Sequence, residues 1–273
     1  MTVGALLLAG ALAAIVCVRA LTGVLAHPTL ARENFRGRAL PTAAGLCLLL
    51  ALIAIEAVRS VIDPSTTAPR ILILTAVVAF GFLGLVDDLL GDAGDRGIRG
   101  HVLAAARGRL TTGFVKLAGG AAVALAIAAA AGDGSVVRTI VDGALIAGAA
   151  NLGNLLDRAP GRTAKWALLA YVPLAAVVGA GEVGCAIAPV AGATIGLLPG
   201  DLRERYMLGD TGANAIGAAL GTAGVLSLGA GAKIVIAAVL LGLNLLSEVT
   251  SFSRIIDAVP PLRAFDRAGR LAP

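Results

Sequence analysis

The chain of 273 residues is 58% hydrophobic and only 14% charged, a balance outside the range of soluble globular domains. Most of it has to sit in lipid, with no room left for a soluble domain of any size. The net charge of +5 is spread over several short loops and forms no stripe or tail, which argues against a nucleic-acid partner and for anionic membrane lipids.

Taken in chain order, apolar blocks of about 17 to 22 residues alternate with short charged stretches, and a helix of that length crosses the hydrocarbon of a bilayer. The blocks predict membrane spans at 3–25, 41–59, 70–88, 113–131, 136–154, 164–180, 182–199, 211–229 and 232–252. The expected fold is therefore an all-α integral membrane protein, a multi-pass helical bundle of about nine transmembrane helices forming a single transmembrane domain over 1–273. The first block has no basic residue ahead of it and is longer than the apolar region of a signal peptide, so it is read as a span. Cys17, Cys47 and Cys185 each lie inside an apolar run with no paired spacing, and are expected to be packing residues. Abundant Gly and Ala, as in 121–131 and 212–221, allow helix backbones to approach closely.

Basic residues resist translocation, so their distribution sets orientation. One set of loops carries Arg32, Arg36, Arg38, Arg96, Arg99, Arg107, Arg109, Lys116, Arg158, Arg162, Lys165, Arg203, Arg205, Arg254, Arg263, Arg267 and Arg270; the other carries Arg59, Arg70, Arg138 and Lys233. The excess, 17 against 4, makes the first set cytoplasmic, with the N-terminus outside and the C-terminus inside. The expected location is the cell (inner) membrane.

With that orientation Asp87, Asp88, Asp92, Asp95, Asp157, Asp201 and Asp210 all fall at or beyond cytoplasmic helix ends. Asp87 and Asp88 close the apolar run 81–86, and two adjacent carboxylates destabilise each other unless they share a cation or a proton; they can also simply stop a helix at the interface. Asn151, Asn154 and Asp157 follow at helical spacing, where amides are costly without partners, although a frayed helix end would look similar. Asp210, in Leu208-Gly209-Asp210-Thr211-Gly212-Ala213-Asn214, can act as an N-cap or as an oxygen ligand to Mg²⁺.

Taken together these pieces resemble the polyprenyl-phosphate N-acetylhexosamine-1-phosphate transferase superfamily, glycosyltransferase family 4, which includes the phospho-N-acetylmuramoyl-pentapeptide transferases. Pro41-Thr42-Ala43-Ala44-Gly45 is similar to its Pro-Thr-x-Gly-Gly segment with Ala in the fourth place. Gly84-Leu85-Val86-Asp87-Asp88 is similar to its Asp-Asp motif, and Lys116 to the lysine entering span four. Asn151-x-x-Asn154-x-x-Asp157 resembles its Asn/Asp motif, and Gly209-Asp210-Thr211-Gly212 its Gly-Asp-x-Gly motif. The likeness covers nearly the whole chain and marks a divergent member. A second Asp expected three residues after Asp157 is replaced by Pro160, the histidine cluster of the last loop reads Pro261-Leu262-Arg263-Ala264-Phe265-Asp266, and the chain has no tenth span, which makes a peptidoglycan substrate unexpected.

The resemblance implies a Mg²⁺-dependent transferase of cell wall biogenesis, moving a sugar-1-phosphate from a UDP-sugar to a polyprenyl phosphate and releasing UMP. It implies catalytic roles for Asp87, Asp88 and Asp157, a metal ligand in Asp210, and substrate binding by Lys116, Asn151 and Asn154. Arg263 and Arg267 would hold a pyrophosphate in place of the histidines, since guanidinium groups bind phosphate bidentately. Lys116 also reads as an interface anchor, and His27 and His101 as loop residues. Two alternatives stay open: a catalytically degenerate relative that binds polyprenyl phosphate or a partner in cell-envelope assembly, and a transporter whose pathway acids would be Asp142 and Glu56. A homodimer is compatible with either assembly.

Overall fold

The computed structural model describes residues 1–63, 65–91, 107–108, 110–132 and 134–271. Asp92, Asp95, Arg96, Arg99, His101 and Arg109 lie outside the described residues.

The chain starts with α1 (Val3–Ala20), whose first turn is capped by the Thr2 hydroxyl accepting the Ala5 N–H. A single turn, α2 (Thr22–Leu25), and a 3₁₀ turn at Pro28–Leu30 lead into a small antiparallel hairpin. Its strands β1 (Ala31–Glu33) and β2 (Ala39–Pro41) pair with Ala31 opposite Pro41. The bundle then continues through α3 (Gly45–Ile62), α4 (Ala68–Leu90), α5 (Thr112–Ala131), α6 (Val136–Leu156), α7 (Arg162–Val178), α8 (Glu182–Leu202), α9 (Gly209–Ser227) and α10 (Ala230–Val249). Two short helices, α11 (Phe252–Ala258) and α12 (Pro260–Arg267), follow.

Each apolar block of the sequence falls on one long helix, and seven of these helices are long and apolar enough to cross a membrane. The chain is thus a helical membrane protein. The two helices outside the seven are α7, with 17 residues, and α9. The reason for α9 is its place at the centre: nearly all of it, from Gly209 to Val225, is buried against α3, α4, α6, α7 and α8. A helix sheathed in protein does not meet lipid, and small residues serve it better than large apolar ones. Gly217 lies on the Ala149 carbonyl and Gly153 on the Ala213 carbonyl, where a Cβ would overlap backbone. At the periphery the apolar stretches of α1 and α10 are only 17% and 11% buried, leaving Leu8, Leu12, Val16, Ile234, Val235 and Leu245 uncovered, as lipid-facing surfaces should be.

Two buried acids, each paired with at least one basic side chain, sit away from the acidic end of the bundle. Glu56 binds Arg70 at 2.8 Å and Arg59 at 2.5 Å, and Asp142 binds Lys233 at 2.9 Å. The two acids that could have lined a transport pathway are each neutralised between packed helices, which is how buried charges are ordinarily accommodated. The cysteines are free, with Cys47 buried and Cys17 and Cys185 half-buried.

Candidate functional site

The scaffold of the site is a backbone-to-backbone pairing of two segments far apart in sequence. Met207 N–H donates to the Pro41 carbonyl (2.7 Å), Ala44 N–H to Met207 (3.1 Å), and Gly45 N–H to Leu208 (2.9 Å), while Thr42 N–H donates to Leu30 (2.7 Å). Gly209 adopts a left-handed φ of 73°, and a Cβ there would meet the Ala43 nitrogen at 2.6 Å and Asp88 Oδ2 at 2.7 Å. Both the conformation and the space therefore demand glycine. On the opposite wall Gly84 touches the Asp210 carbonyl so closely that no side chain fits.

Through that close approach the end of α4 reaches the start of α9. Asp88 Oδ1 accepts the Asp210 N–H at 3.0 Å, and Oδ2 accepts the Thr211 N–H at 2.9 Å and the Thr211 hydroxyl at 2.6 Å. These amides are the unsatisfied donors of the α9 N-terminus, where a carboxylate is favoured by geometry and by the helix dipole. The other end of the junction is closed by Arg32, whose guanidinium donates to the Asp88 carbonyl (2.8 Å) and the Leu89 carbonyl (3.2 Å), capping the last turn of α4.

The two adjacent aspartates are thereby split in role. Asp88 ties the loop, and Asp87 faces Lys116, which enters from the first turns of α5. Lys116 Nζ lies 2.7 Å from Asp87 Oδ2 and 2.5 Å from Asp210 Oδ2. All three side chains keep some exposure, 18% to 26% of their area, so the group is open to a ligand. Two carboxylate oxygens from different helices thus converge on one positive centre. Among the described residues no set of three or more His, Cys, Asp or Glu side chains gathers as a metal cage. The donors present still suit Mg²⁺, which takes one or two carboxylates and completes its shell with water and substrate phosphate oxygens.

Asp157 stands at the C-terminal end of α6, with the Thr163 hydroxyl 3.5 Å from its Oδ1. Loss of solvent, and then the carboxylates of Asp201, Asp210 and Asp88, push its carboxyl well above the usual carboxylate range, against a smaller opposing effect of the Gly209 amide. Asp201 is buried, and its Oδ2 accepts the Gly161 N–H at 3.0 Å. A second carboxylate therefore stands beside Asp157 although Pro160 replaces the one expected within the motif. Asn151 is held away from this group, donating to Asn244 on α10 at 2.5 Å. Asn154 is different: its Nδ2 is buried with no hydrogen-bond partner among the described residues, a state native proteins avoid unless a ligand or water completes it.

Two separate cavities open at the C-terminal end of α6, one lined by Asp157 and the other by its neighbour Leu156. A polar one of about 340 Å³ is lined by Asn34, Phe35, Asp157, Arg158, Asp201 and Tyr206, with Glu33 and Glu204 at its wall. An apolar one of about 430 Å³ runs from Gly153, Leu156 and Thr163 past Trp166 and Leu220 toward Leu228, along the helices that would lie in the bilayer.

The structure does not bring Arg263 and Arg267 to this group. Both are exposed, Arg263 donating to the Asp257 carbonyl (3.2 Å) and Arg267 to the Asp257 carboxylate (3.1 Å). The residue of that loop facing inward is Asp266, buried and clamped by Arg162 through Nε (2.8 Å) and Nη2 (2.9 Å) and by Arg270 at 2.7 Å. Arg270 also donates to the Pro160 carbonyl at 2.9 Å, fixing the terminal segment against the Asp157 turn. His27 lies apart, its Nδ1 accepting the Thr29 N–H.

Sequence reasoning missed Thr211, Arg32, Asp266 and Arg270. Thr211 could have been found, since it sits at the start of a helix beside a carboxylate motif; the other three carry no local signal. No family model and no curated protein matches the chain.

Proposed function

We propose that this chain is a Mg²⁺-dependent transferase that moves a sugar-1-phosphate from a UDP-sugar to a polyprenyl phosphate. In this reading it crosses the cell membrane nine times, with the site at the cytoplasmic face. The observation that carries the reading is the meeting of Asp87 and Asp210 on Lys116, with Asp157, a wall residue of the polar cavity, close enough to feel the Asp210 charge. The long apolar cavity suits a prenyl tail, and the polar one, with Phe35 and Tyr206 in its wall, suits a nucleotide.

In the reaction an oxygen of the polyprenyl phosphate attacks the β-phosphorus of the UDP-sugar. The bond from that phosphorus to the bridging oxygen breaks, and UMP leaves with the electron pair. Bound Mg²⁺, held by Asp210 and Asp87, would neutralise charge on the phosphoryl oxygens and the leaving group. Lys116 supplies a second positive partner for a phosphate oxygen, and Asp87 orients the attacking phosphate. The unpartnered Asn154 amide donates to a substrate acceptor, and Asp157 with Asp201 holds the nucleotide end. Asp88 acts through the loop, keeping the Asp210 and Thr211 backbone in place.

The test is release of UMP by purified protein given undecaprenyl phosphate, Mg²⁺ and UDP-N-acetylhexosamines, and its loss in Asp210→Asn. A binding-only reading is favoured by one observation: Arg162 and Arg270 are committed to Asp266, leaving few cations for a pyrophosphate. Under it, polyprenyl phosphate raises the melting temperature while every UDP-sugar leaves it unchanged.

A further inference from the structure

On the far side of Tyr206 from the polar cavity lies a separate groove of about 450 Å³, between the end of α1 with α2 and the end of α8. Tyr206 forms a wall of both, its hydroxyl fixed by donating to the Leu197 carbonyl at 2.9 Å. The groove has an apolar floor, including Ile15 and Leu25, and three arginines at its rim, Arg19, Arg203 and Arg205, with no acidic residue in its lining. All three arginines are exposed. No side-chain hydrogen bond or ion pair engages any of their guanidinium groups among the described residues, whereas Arg36, Arg38, Arg162 and Arg270 of the same end are paired with Glu204 or Asp266.

Three uncompensated positive charges at the rim of an apolar trough are matched by one kind of molecule: a negative headgroup joined to a hydrocarbon chain. Guanidinium groups bind phosphate in a planar, bidentate way, and a basic cluster at a helix end within the membrane surface draws anionic lipid. A soluble anion would use the arginines and leave the trough empty. We infer that this groove is a binding site for an anionic phospholipid of the surrounding leaflet. Its phosphate is held by Arg19, Arg203 and Arg205, and an acyl chain lies along Ile15 and Leu25 between α1 and α8. The site is separate from the aspartate group and does not depend on the transferase reading.

The test uses the whole protein in nanodiscs containing equal amounts of phosphatidylcholine and phosphatidylglycerol, with native mass spectrometry reading which lipid leaves the membrane with the protein. Wild type retains phosphatidylglycerol in preference. The variant Arg19→Gln/Arg203→Gln/Arg205→Gln lowers that preference by roughly 100-fold, at about 1 kcal/mol per arginine near a headgroup and tenfold per 1.4 kcal/mol. A control with the same charge loss, Arg254→Gln/Arg263→Gln/Arg267→Gln, keeps it. The exposed positions of the three rim arginines should let the variant fold, and the wild-type preference is measurable without any variant. No preference in wild type overturns the assignment, as does equal loss in the control. Displacement of the lipid by millimolar inorganic phosphate would reassign the arginines to a soluble anion and overturn it too.

Discussion

Asp88 and Thr211 are joined by two hydrogen bonds to one carboxylate oxygen, the Thr211 amide at 2.9 Å and its hydroxyl at 2.6 Å. With the Asp210 amide on the other oxygen, this carboxylate stitches together two helix ends separated by 122 residues. Asp210 owes its position at the head of α9 to this contact. Asp88→Ala is expected to lower stability by about 2–4 kcal/mol, since bonds to a charged acceptor contribute about 1.5–3 kcal/mol each and the freed amides stay poorly solvated. Asp210→Asn, which keeps the loop, should move the melting temperature far less. Equal melting of the two variants would remove the distinction between a stitching and a working carboxylate.

Lys116 pairs with both Asp87 and Asp210 and offsets part of their charge. Lys116→Met leaves two carboxylates facing each other, a like-charge pair that cannot comfortably stay ionised. The variant should melt lower than wild type in EDTA and recover part of the difference in millimolar Mg²⁺, with Ca²⁺ less effective because it prefers more ligands. A melting curve that ignores Mg²⁺ would show that the pair does not take the ion.

If the site transfers phosphoryl groups, loss of Asp210 should be felt in turnover. Asp210→Asn is expected to reduce UMP release by about 100-fold or more, the scale on which single electrostatic groups act in such steps. Asn151→Ala, whose amide is engaged with Asn244 instead, should cost no more than about threefold, in line with loss of one neutral hydrogen bond. Rates are read from UMP release in matched lipid.

Gly84 is where α4 meets the Asp210 carbonyl without room for a Cβ. Gly84→Ala should destabilise by about 1–3 kcal/mol as an overpacked contact and should lower activity along with stability. Gly231→Ala, which meets nothing nearby, is the control and should be neutral.

Asp266 offers a pH test. Burial raises its carboxyl, but the Arg162 hydrogen bonds and charge, with Arg270, outweigh that and hold it below the usual range. A carboxylate depressed in the folded state contributes stability that is full above its unfolded value of about 3.9, and that contribution is lost as pH falls through the lower folded value. Wild type should therefore lose melting temperature on acidification below about pH 4 more steeply than Asp266→Asn. The variant itself should cost about 3 kcal/mol at neutral pH, because two arginines lose their buried partner.

The helices were legible because lipid imposes a length and a composition on anything that crosses it, and every long helix of the bundle sits on an apolar block of the sequence. Position along the chain also placed Asp87, Asp88, Asp157 and Asp210 at helix ends. Which residue of the final loop turns inward was not legible, because Arg263, Asp266 and Arg267 lie within five residues and only the helix phase of α12 decides it. It is Asp266 that turns inward, leaving the arginines exposed.

What the sequence determined alone was the solvent: its runs of apolar residues leave the chain no stable state but a helical one in a membrane, whatever the helices pack against. Which carboxylate bonds and which one works was decided only by tertiary structure. Asp87 and Asp88 are adjacent and chemically alike, yet about 100° of helical rotation per residue aims one at the α9 amides and the other at Lys116. That difference exists only once α4, α5 and α9 are packed on glycine contacts, because local sequence fixes how a helix turns but not what stands opposite its faces.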